Sequence, residues 1–287
     1  MTVISVPSLR PLEPRKAAAL NKVILAAQDC ESQPMLVGAF ARDVWFWHVY
    51  GIETERATED IDISMAFSEW DGFRHFAETL KTAGFVQPVP NHPEKLLDPE
   101  TGQKMDLLPF GALSEDGRSI IWPVDQSRWS VLGFEESHQS AVRLSVSNDG
   151  RHSLRMVTLP SMVMLKMVAF YERLQDRKRK DGADISFTLA NYLLVGNRKR
   201  LEQGHEAIIM DEVDGDIQRA GAVLLGRDIG RVANPVTRLE VITRLKSEAD
   251  SASRCPLARE LMQRLTRGDF HRARDLLRDV LNGVESV

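Results

Sequence analysis

Cysteine is scarce in this sequence, and long apolar runs are absent from it. Its two cysteines, Cys30 and Cys255, lie far apart and form no CxxC pair. That spacing excludes a cysteine-based zinc site and predicts reduced thiols, the state kept in the cytoplasm. Because no apolar stretch is long enough for a signal peptide or a membrane span, we expect a cytoplasmic protein with no membrane contact.

An excess of basic charge is also missing. The 37 Lys and Arg residues face 41 Asp and Glu residues, for a formal net charge of −4. This balance excludes a globally basic nucleic-acid binder and leaves a local basic patch open. The sequence has no Walker A loop, no GxGxxG fingerprint, no convincing Ser-His-Asp context and no metal-ligand spacing of its histidines. These absences exclude the commonest nucleotide-binding loops and serine-nucleophile enzymes.

What the sequence does contain is a glycine turn that precedes a strand with two aspartates. The apolar run 35–37 predicts a buried strand, Gly38 a turn, and residues 39–50 a helix. The next strand carries Asp60 and Asp62 on one face, because side chains alternate along a strand.

Two carboxylates held side by side favour a bound cation between them. They repel each other otherwise, and oxygen-only ligands suit Mg²⁺, which takes one or two carboxylates plus phosphate oxygens. A third carboxylate, Asp106, lies on the second arm of a hairpin predicted over residues 95–109. Gly38 has no side chain, so its backbone can approach a phosphate closely. The pattern therefore predicts a Mg²⁺ site made by Asp60, Asp62 and Asp106, and its alternative is a solvated acidic strand edge.

These residues resemble the DNA polymerase beta nucleotidyltransferase superfamily. That pattern is a glycine and a small residue before a helix, Asp-x-Asp on the next strand and a third aspartate on another strand. Here it reads Gly38-Ala39, Asp60-Ile61-Asp62 and Asp106. The Gly-Ala-x-Ala-Arg lead-in and the later Lys-Asp-x-x-Asp run look most like the AbiEii type of toxin nucleotidyltransferases. Ala39 departs from the pattern, because minimal nucleotidyltransferases usually have a serine there whose hydroxyl touches the triphosphate.

The resemblance implies an α/β fold, with a mixed, twisted sheet of the nucleotidyltransferase type and an appended C-terminal helical region. The residue pattern agrees, since strand patterns end near Thr158 and helical patterns follow Pro160. We therefore expect residues 1–158 to form the catalytic core and residues 159–287 to form a helical region that completes the nucleotide cleft.

The resemblance further implies an enzyme that moves a nucleoside monophosphate from an NTP to a hydroxyl group. Two Mg²⁺ ions would be held by Asp60 and Asp62, and one of them also by Asp106. The AbiEii type implies the toxin of a toxin–antitoxin or phage-defence pair, with an antitoxin protein as partner and tRNA or other RNA as acceptor. The nucleotide contacts that the resemblance implies are Gly38, Ala39, Arg42, Lys166, Arg173, Asp181 and Asp184.

Three alternatives stay open at this point. In the first, Asp181 and Asp184 pair with Arg173 and Lys180 as a structural clamp between helices and do not contact a nucleotide. In the second, the protein is a non-catalytic scaffold of the same fold that binds nucleotide or a partner protein, a role that Ala39 favours. In the third, the acceptor is a small molecule, as in resistance enzymes that adenylylate aminoglycosides. An acidic acceptor pocket favours that last function, whereas a basic groove favours RNA.

Overall fold

A mixed β-sheet followed by a series of helices makes up the fold. The structure is a computed structural model that describes residues 2–54, 58–146, 152–172, 175–250 and 254–287, without the side chains of residues 175–178. The chain divides into two units, Met1–Thr158 and Leu159–Val287. The α/β fold class with a mixed sheet and a C-terminal helical region is thus confirmed.

The first unit contains the sheet. Its strands are β1 (Val3–Ser5), β2 (Met35–Val37), β3 (Asp60–Ala66), β4 (Lys95–Asp98), β5 (Gln103–Phe110), β6 (Ser119–Ile121), β7 (Arg128–Ser130), β8 (Val142–Ser145) and β9 (Ser153–Met156). Within the described residues, seven strands form one sheet in the order β1-β8-β9-β2-β3-β5-β4, and β6 pairs with β7 separately. Strand β3 pairs antiparallel with β2 and parallel with β5, so the sheet is mixed at its centre.

In the described part of the first unit, four α-helices accompany these strands, and one of them changes its hydrogen bonding. They are α1 (Pro14–Ala26), α2 (Gly38–Asp43), α3 (Trp70–Thr82) and α4 (Phe134–Gln139). Helix α2 continues directly as a π-helix over Val44–Val49, where the Tyr50 N–H reaches back to the Trp45 carbonyl (3.2 Å). The single helix predicted over residues 39–50 is therefore present, but its second half has the wider turn of a π-helix.

Two segments whose residue patterns predict strands take other forms. The pattern at residues 85–89 predicts a strand, yet among the described residues this segment contributes one bridge, from Val86 to Leu97. Pro88 and Pro90 lack the N–H that a longer ladder needs. The pattern at about residues 129–134 predicts another strand, but β7 ends at Ser130 and Phe134 begins helix α4, because Gly133 adopts a left-handed conformation and acidic residues fill the first helical turn. The run Asn148-Asp149-Gly150 predicts a hairpin turn, and it lies outside the described residues.

The second unit is helical. Its elements are α5 (Leu159–Glu172), α6 (Gln175–Asn191), a π-helix (Leu193–Asn197), α7 (Arg198–Glu202), α8 (Ile208–Glu212), α9 (Ile217–Val232), α10 (Pro235–Ala249), α11 (Pro256–Arg264) and α12 (Phe270–Glu285). Side chains of Asp216, Asn234 and Asp269 accept backbone N–H groups at the first turns of α9, α10 and α12. In neither unit does a described helix combine the length and the apolar character that a membrane crossing requires.

Helices α9 and α12 pack with their backbones in near contact. A Cβ atom on Gly226 would lie 2.1 Å from the Val280 carbonyl oxygen, and one on Gly283 would lie 2.2 Å from the Val223 carbonyl oxygen. Both obstacles are backbone atoms, which cannot rotate away as a side-chain end can. The absence of a side chain at these two positions therefore sets the separation of the two helices.

We expect Gly226→Ala to lower the free energy of unfolding by about 1–3 kcal/mol, the usual cost of overpacking a core. The clash outweighs the better helix propensity of alanine, which is about 1 kcal/mol. Gly72→Ala is the matched control, because the added Cβ would meet only the Phe67 ring at 3.4 Å. Chemical denaturation of both variants tests this packing, and equal stability of the two would contradict it.

Candidate functional site

The three predicted carboxylates lie on neighbouring strands of the central sheet. Asp62 on β3 faces Asp106 on β5 in the parallel register, while Asp60 faces Lys104. Ile61 and its neighbours on the other face are buried, whereas Asp62 and Asp106 are half-buried and Asp60 is exposed. The three carboxylates therefore share one face, with Asp62 beside Asp106 and Asp60 one row away.

As potential metal ligands, two of the carboxylates form a close pair, whereas the three do not form a single ligand group. Among the described residues, no group of three or more His, Cys, Asp and Glu side chains is arranged to hold a metal ion. Mg²⁺ commonly takes only one or two carboxylates and completes its octahedron with water and substrate phosphate. Asp62 and Asp106 supply that oxygen donor set from adjacent strands, so the residues present fit such an ion when a phosphate completes it.

The backbone at Gly38 is packed directly against Asp62. Gly38 joins β2 to α2 with φ +70°, a conformation that side chains rarely adopt. An added Cβ would lie 1.9 Å from Asp62 Oδ2. The glycine is thus needed for this contact, whether or not a phosphate approaches it. Ala39, the next residue, is buried and has no side-chain donor to offer an anion.

Arg42 lies on α2 within a buried ion pair. Its Nε and Nη2 atoms donate to Asp43 Oδ1 at 3.0 and 2.5 Å. Asp43 Oδ2 accepts in turn from the Thr58 backbone N–H (3.3 Å), two residues before β3. This pair therefore connects α2 to the entrance of the aspartate strand. Contact of Arg42 with a nucleotide stays a prediction.

Lys166, Asp181 and Asp184 come together in the second unit. Lys166 Nζ on α5 lies 3.0 Å from Asp181 Oδ1 and 2.6 Å from Asp184 Oδ2, both on α6, and all three side chains are largely buried. Burial opposes the charge of Lys166, but Asp184 and Asp181 outweigh it and raise the pKa of the ammonium above its ordinary value.

The predicted clamp between helices is thus present with a different cation. Lys180, expected as a partner of the two aspartates, is exposed and makes no ion pair with them, because its helix position turns it outward. Arg173 lies outside the described residues. Periodicity placed Asp181 and Asp184 on one face of a helix but left open which helix would face them. Contact of Lys166 with a triphosphate stays a prediction.

One residue beside the site was missed by the sequence reasoning. Lys95 on β4 faces Asp106 across the hairpin. The Leu107 N–H donates to the Glu94 carbonyl (2.7 Å), so the adjoining pair Lys95–Asp106 is the non-hydrogen-bonded kind, with Cα atoms about 4.5 Å apart. In the described part of the chain, the Lys95 side chain has no hydrogen bond or ion pair. The turn at residues 98–102 was the signal that fixed this register.

The buried ion cluster predicts a large effect on stability. Lys166→Met keeps the length of the side chain but removes the ammonium that pairs with two buried carboxylates, so the free energy of unfolding should fall by about 3–5 kcal/mol. Lys180→Met is the matched control, since Lys180 is exposed on the same helix as the two aspartates. Thermal and urea unfolding of both variants measures the difference, and indistinguishable curves would show that the cluster contributes nothing.

Comparison with known proteins gives a distant likeness. No protein-family model matches the chain, and no curated protein matches it. Among solved structures, the solution structure of the antibiotic-resistance factor ANT(2'')-Ia matches with a TM-score of 0.36 and 13% sequence identity. The match covers 65% of this chain and 93% of that chain.

Proposed function

We propose that this protein transfers a nucleoside monophosphate from an NTP to a hydroxyl group, with Mg²⁺ as cofactor. The observation that carries the proposal is the register that sets Asp62 beside Asp106, with the Gly38 backbone against Asp62. Two adjacent carboxylates on a rigid sheet are an oxygen donor set that suits Mg²⁺, whose coordination water and substrate phosphate would complete.

Asp62 and Asp106 would hold a Mg²⁺ ion, and Asp60, one row away, would reach a second ion. When bound, these ions stabilise the negative charge of the transferred phosphoryl group and align the reacting oxygens. Asp62 lies between the other two carboxylates on the sheet face, so it would contact both ions. Asp106 comes from a separate strand and reaches only one side of the cluster.

The position of Asp106 suits it to act on the acceptor. The acceptor hydroxyl has to lose its proton as its oxygen attacks phosphorus, and a positioned carboxylate can take that proton. Lys95, directly across the hairpin from Asp106, adds a positive charge on the same side. An ammonium there attracts phosphate oxygens.

The biological setting of the proposal rests on the resemblance to AbiEii-type toxins. On that basis the acceptor is tRNA or another RNA, and an antitoxin protein is the partner. The lysine beside Asp106 agrees with an anionic acceptor, because a phosphate backbone is bound chiefly by Lys and Arg.

A second candidate function is that of a non-catalytic scaffold that binds nucleotide or a partner protein. Two observations favour it. Ala39 lacks the hydroxyl that would contact the triphosphate, and the described residues hold no ready cluster of three metal ligands. The two functions differ in whether the carboxylates are needed for turnover.

Asp106→Asn keeps the shape of the side chain and removes its charge. We expect this variant to bind Mg²⁺ and NTP through Asp60 and Asp62, yet to transfer about 10²-fold more slowly, or slower still, the scale of a lost acid–base group. Asp62→Asn should lose both binding and transfer. NTP affinity and single-turnover transfer, measured with each labelled NTP and total cellular RNA, separate the two effects.

Asp29→Asn serves as the control for these variants, because Asp29 is an exposed carboxylate far along the chain from the site strands. Transfer by Asp106→Asn at the wild-type rate would rule out Asp106 as the third carboxylate. Nucleotide binding without transfer by the wild-type protein would favour the scaffold.

Expression in bacteria without a partner should slow growth, and Asp60→Ala should relieve the effect. The reason is that toxicity of this kind requires turnover, which depends on the metal-binding carboxylates. Growth curves at matched protein levels measure it, again with Asp29→Asn as control. Equal growth inhibition by wild type and Asp60→Ala would discard the catalytic toxin.

A further inference from the structure

A pocket of about 300 Å³ lies in the first unit, and the described residues that line it do not include Asp60, Asp62 or Asp106. It is bounded by the beginning of α1, by the helix that runs from α2 into the π-helix, and by residues 53–54 that follow it. Phe40, Asp43, Trp47 and His48 line it from that one helix. Their spacing of three, seven and eight residues from Phe40 puts them on one helical face.

Two charged residues of the pocket wall are already satisfied. Lys16 is buried, donates to the Thr58 carbonyl (2.8 Å) and to Glu13 (3.3 Å), and lies over the Phe40 ring at 4.4 Å from its centroid. Asp43 accepts from Arg42 and from the Thr58 N–H. Lys16, the one cation among the lining residues that the structure describes, therefore has its partners inside the protein.

The groups that remain available are acceptors and an aromatic face. Glu53 makes no side-chain hydrogen bond or ion pair in the described part of the chain, and Trp47 is 39% exposed. His48 is only 5% exposed, and its Nδ1 lies 2.9 Å from the Arg10 carbonyl, to which it must donate. His48 lines the pocket, and an imidazole that donates from Nδ1 has Nε2 left as its acceptor nitrogen.

The pocket wall is also the place where the helix widens. The π-helix spans Val44–Val49 and carries both Trp47 and His48. Such helices are rare, well under 1% of residues, and occur frequently at functional sites. The unusual backbone thus coincides with two of the residues that line the pocket.

We propose that this pocket binds a small organic cation that carries a primary ammonium or a guanidinium group. The Trp47 face would attract the positive charge, Glu53 would accept its N–H groups as charge-assisted bonds, and His48 Nε2 would accept a further one. Among the described lining residues, an anion would meet carboxylates and a single cation, Lys16, which is already paired. A metal ion lacks a ligand set, since no described cluster of three His, Cys, Asp or Glu residues exists there.

This site goes beyond nucleotidyl transfer and does not depend on it. A protein that proved catalytically inactive would still present the same pocket. Its ligand class follows from the acceptors alone, as in other sites where aromatic faces and carboxylates recognise organic cations.

The test is isothermal titration of the whole protein with agmatine, which has an ammonium at one end and a guanidinium at the other. We expect saturable binding by wild type, with 1,4-butanediol, a neutral molecule of similar length, not binding. Trp47→Leu should weaken agmatine binding about 3- to 30-fold, the range of a cation–π contact. Glu53→Gln should weaken it about 10-fold, the value of a hydrogen bond to a charged group.

Two control variants are matched to these changes. Tyr50→Leu removes an exposed aromatic residue at the end of the same π-helix, and Glu69→Gln removes an exposed carboxylate outside the pocket. Both should bind agmatine as wild type does, and melting curves should show all four variants folded. Absence of agmatine binding by wild type, equal binding of 1,4-butanediol, or unchanged binding by both Trp47→Leu and Glu53→Gln would overturn the proposal.

Discussion

The parallel pairing of β3 with β5 is the constraint on which the candidate site depends. Seven successive residues of β3 are in register with β5. Side chains in one row of a sheet are held within a few ångströms of each other and cannot drift apart without breaking the ladder. A slip of one residue would turn Asp62 or Asp106 to the buried face. The pairing therefore converts two carboxylates from separate segments into neighbours.

The strands on either side complete the arrangement through their own registers. On one side β2 pairs antiparallel with β3, so that Val37 faces Asp62 and the Gly38 turn comes against the carboxylate. On the other side the hairpin of β4 and β5 sets Lys95 beside Asp106. One row of the sheet thus runs from a side-chain-free turn through two carboxylates to a lysine. The order of those groups suits a metal and a phosphate held between them.

Two groups of buried charges in the second unit are paired internally. Buried charges are costly unless they are paired, and Lys166 with Asp181 and Asp184 forms such a compensated cluster between α5 and α6. Tyr192 and Arg200 both donate to Asp228 in a further network. Charged residues at helical spacing are therefore an ambiguous signal, because the same pattern serves a nucleotide contact and a helix clamp. Their partners decide between the two.

The sequence by itself determined the elements whose signals are local. Alternating apolar residues predicted β3, the turn at residues 98–102 predicted the β4–β5 hairpin, and the change from period two to helical spacing predicted the helical C-terminal region. It also placed Asp60 and Asp62 on one strand face. The tertiary structure alone decided which strands are neighbours, that Gly38 packs against Asp62, and that Lys166 rather than Lys180 pairs with Asp181 and Asp184. The π-helix and its pocket were decided there too. These features depend on contacts between segments distant in sequence, and no local pattern of residues specifies them.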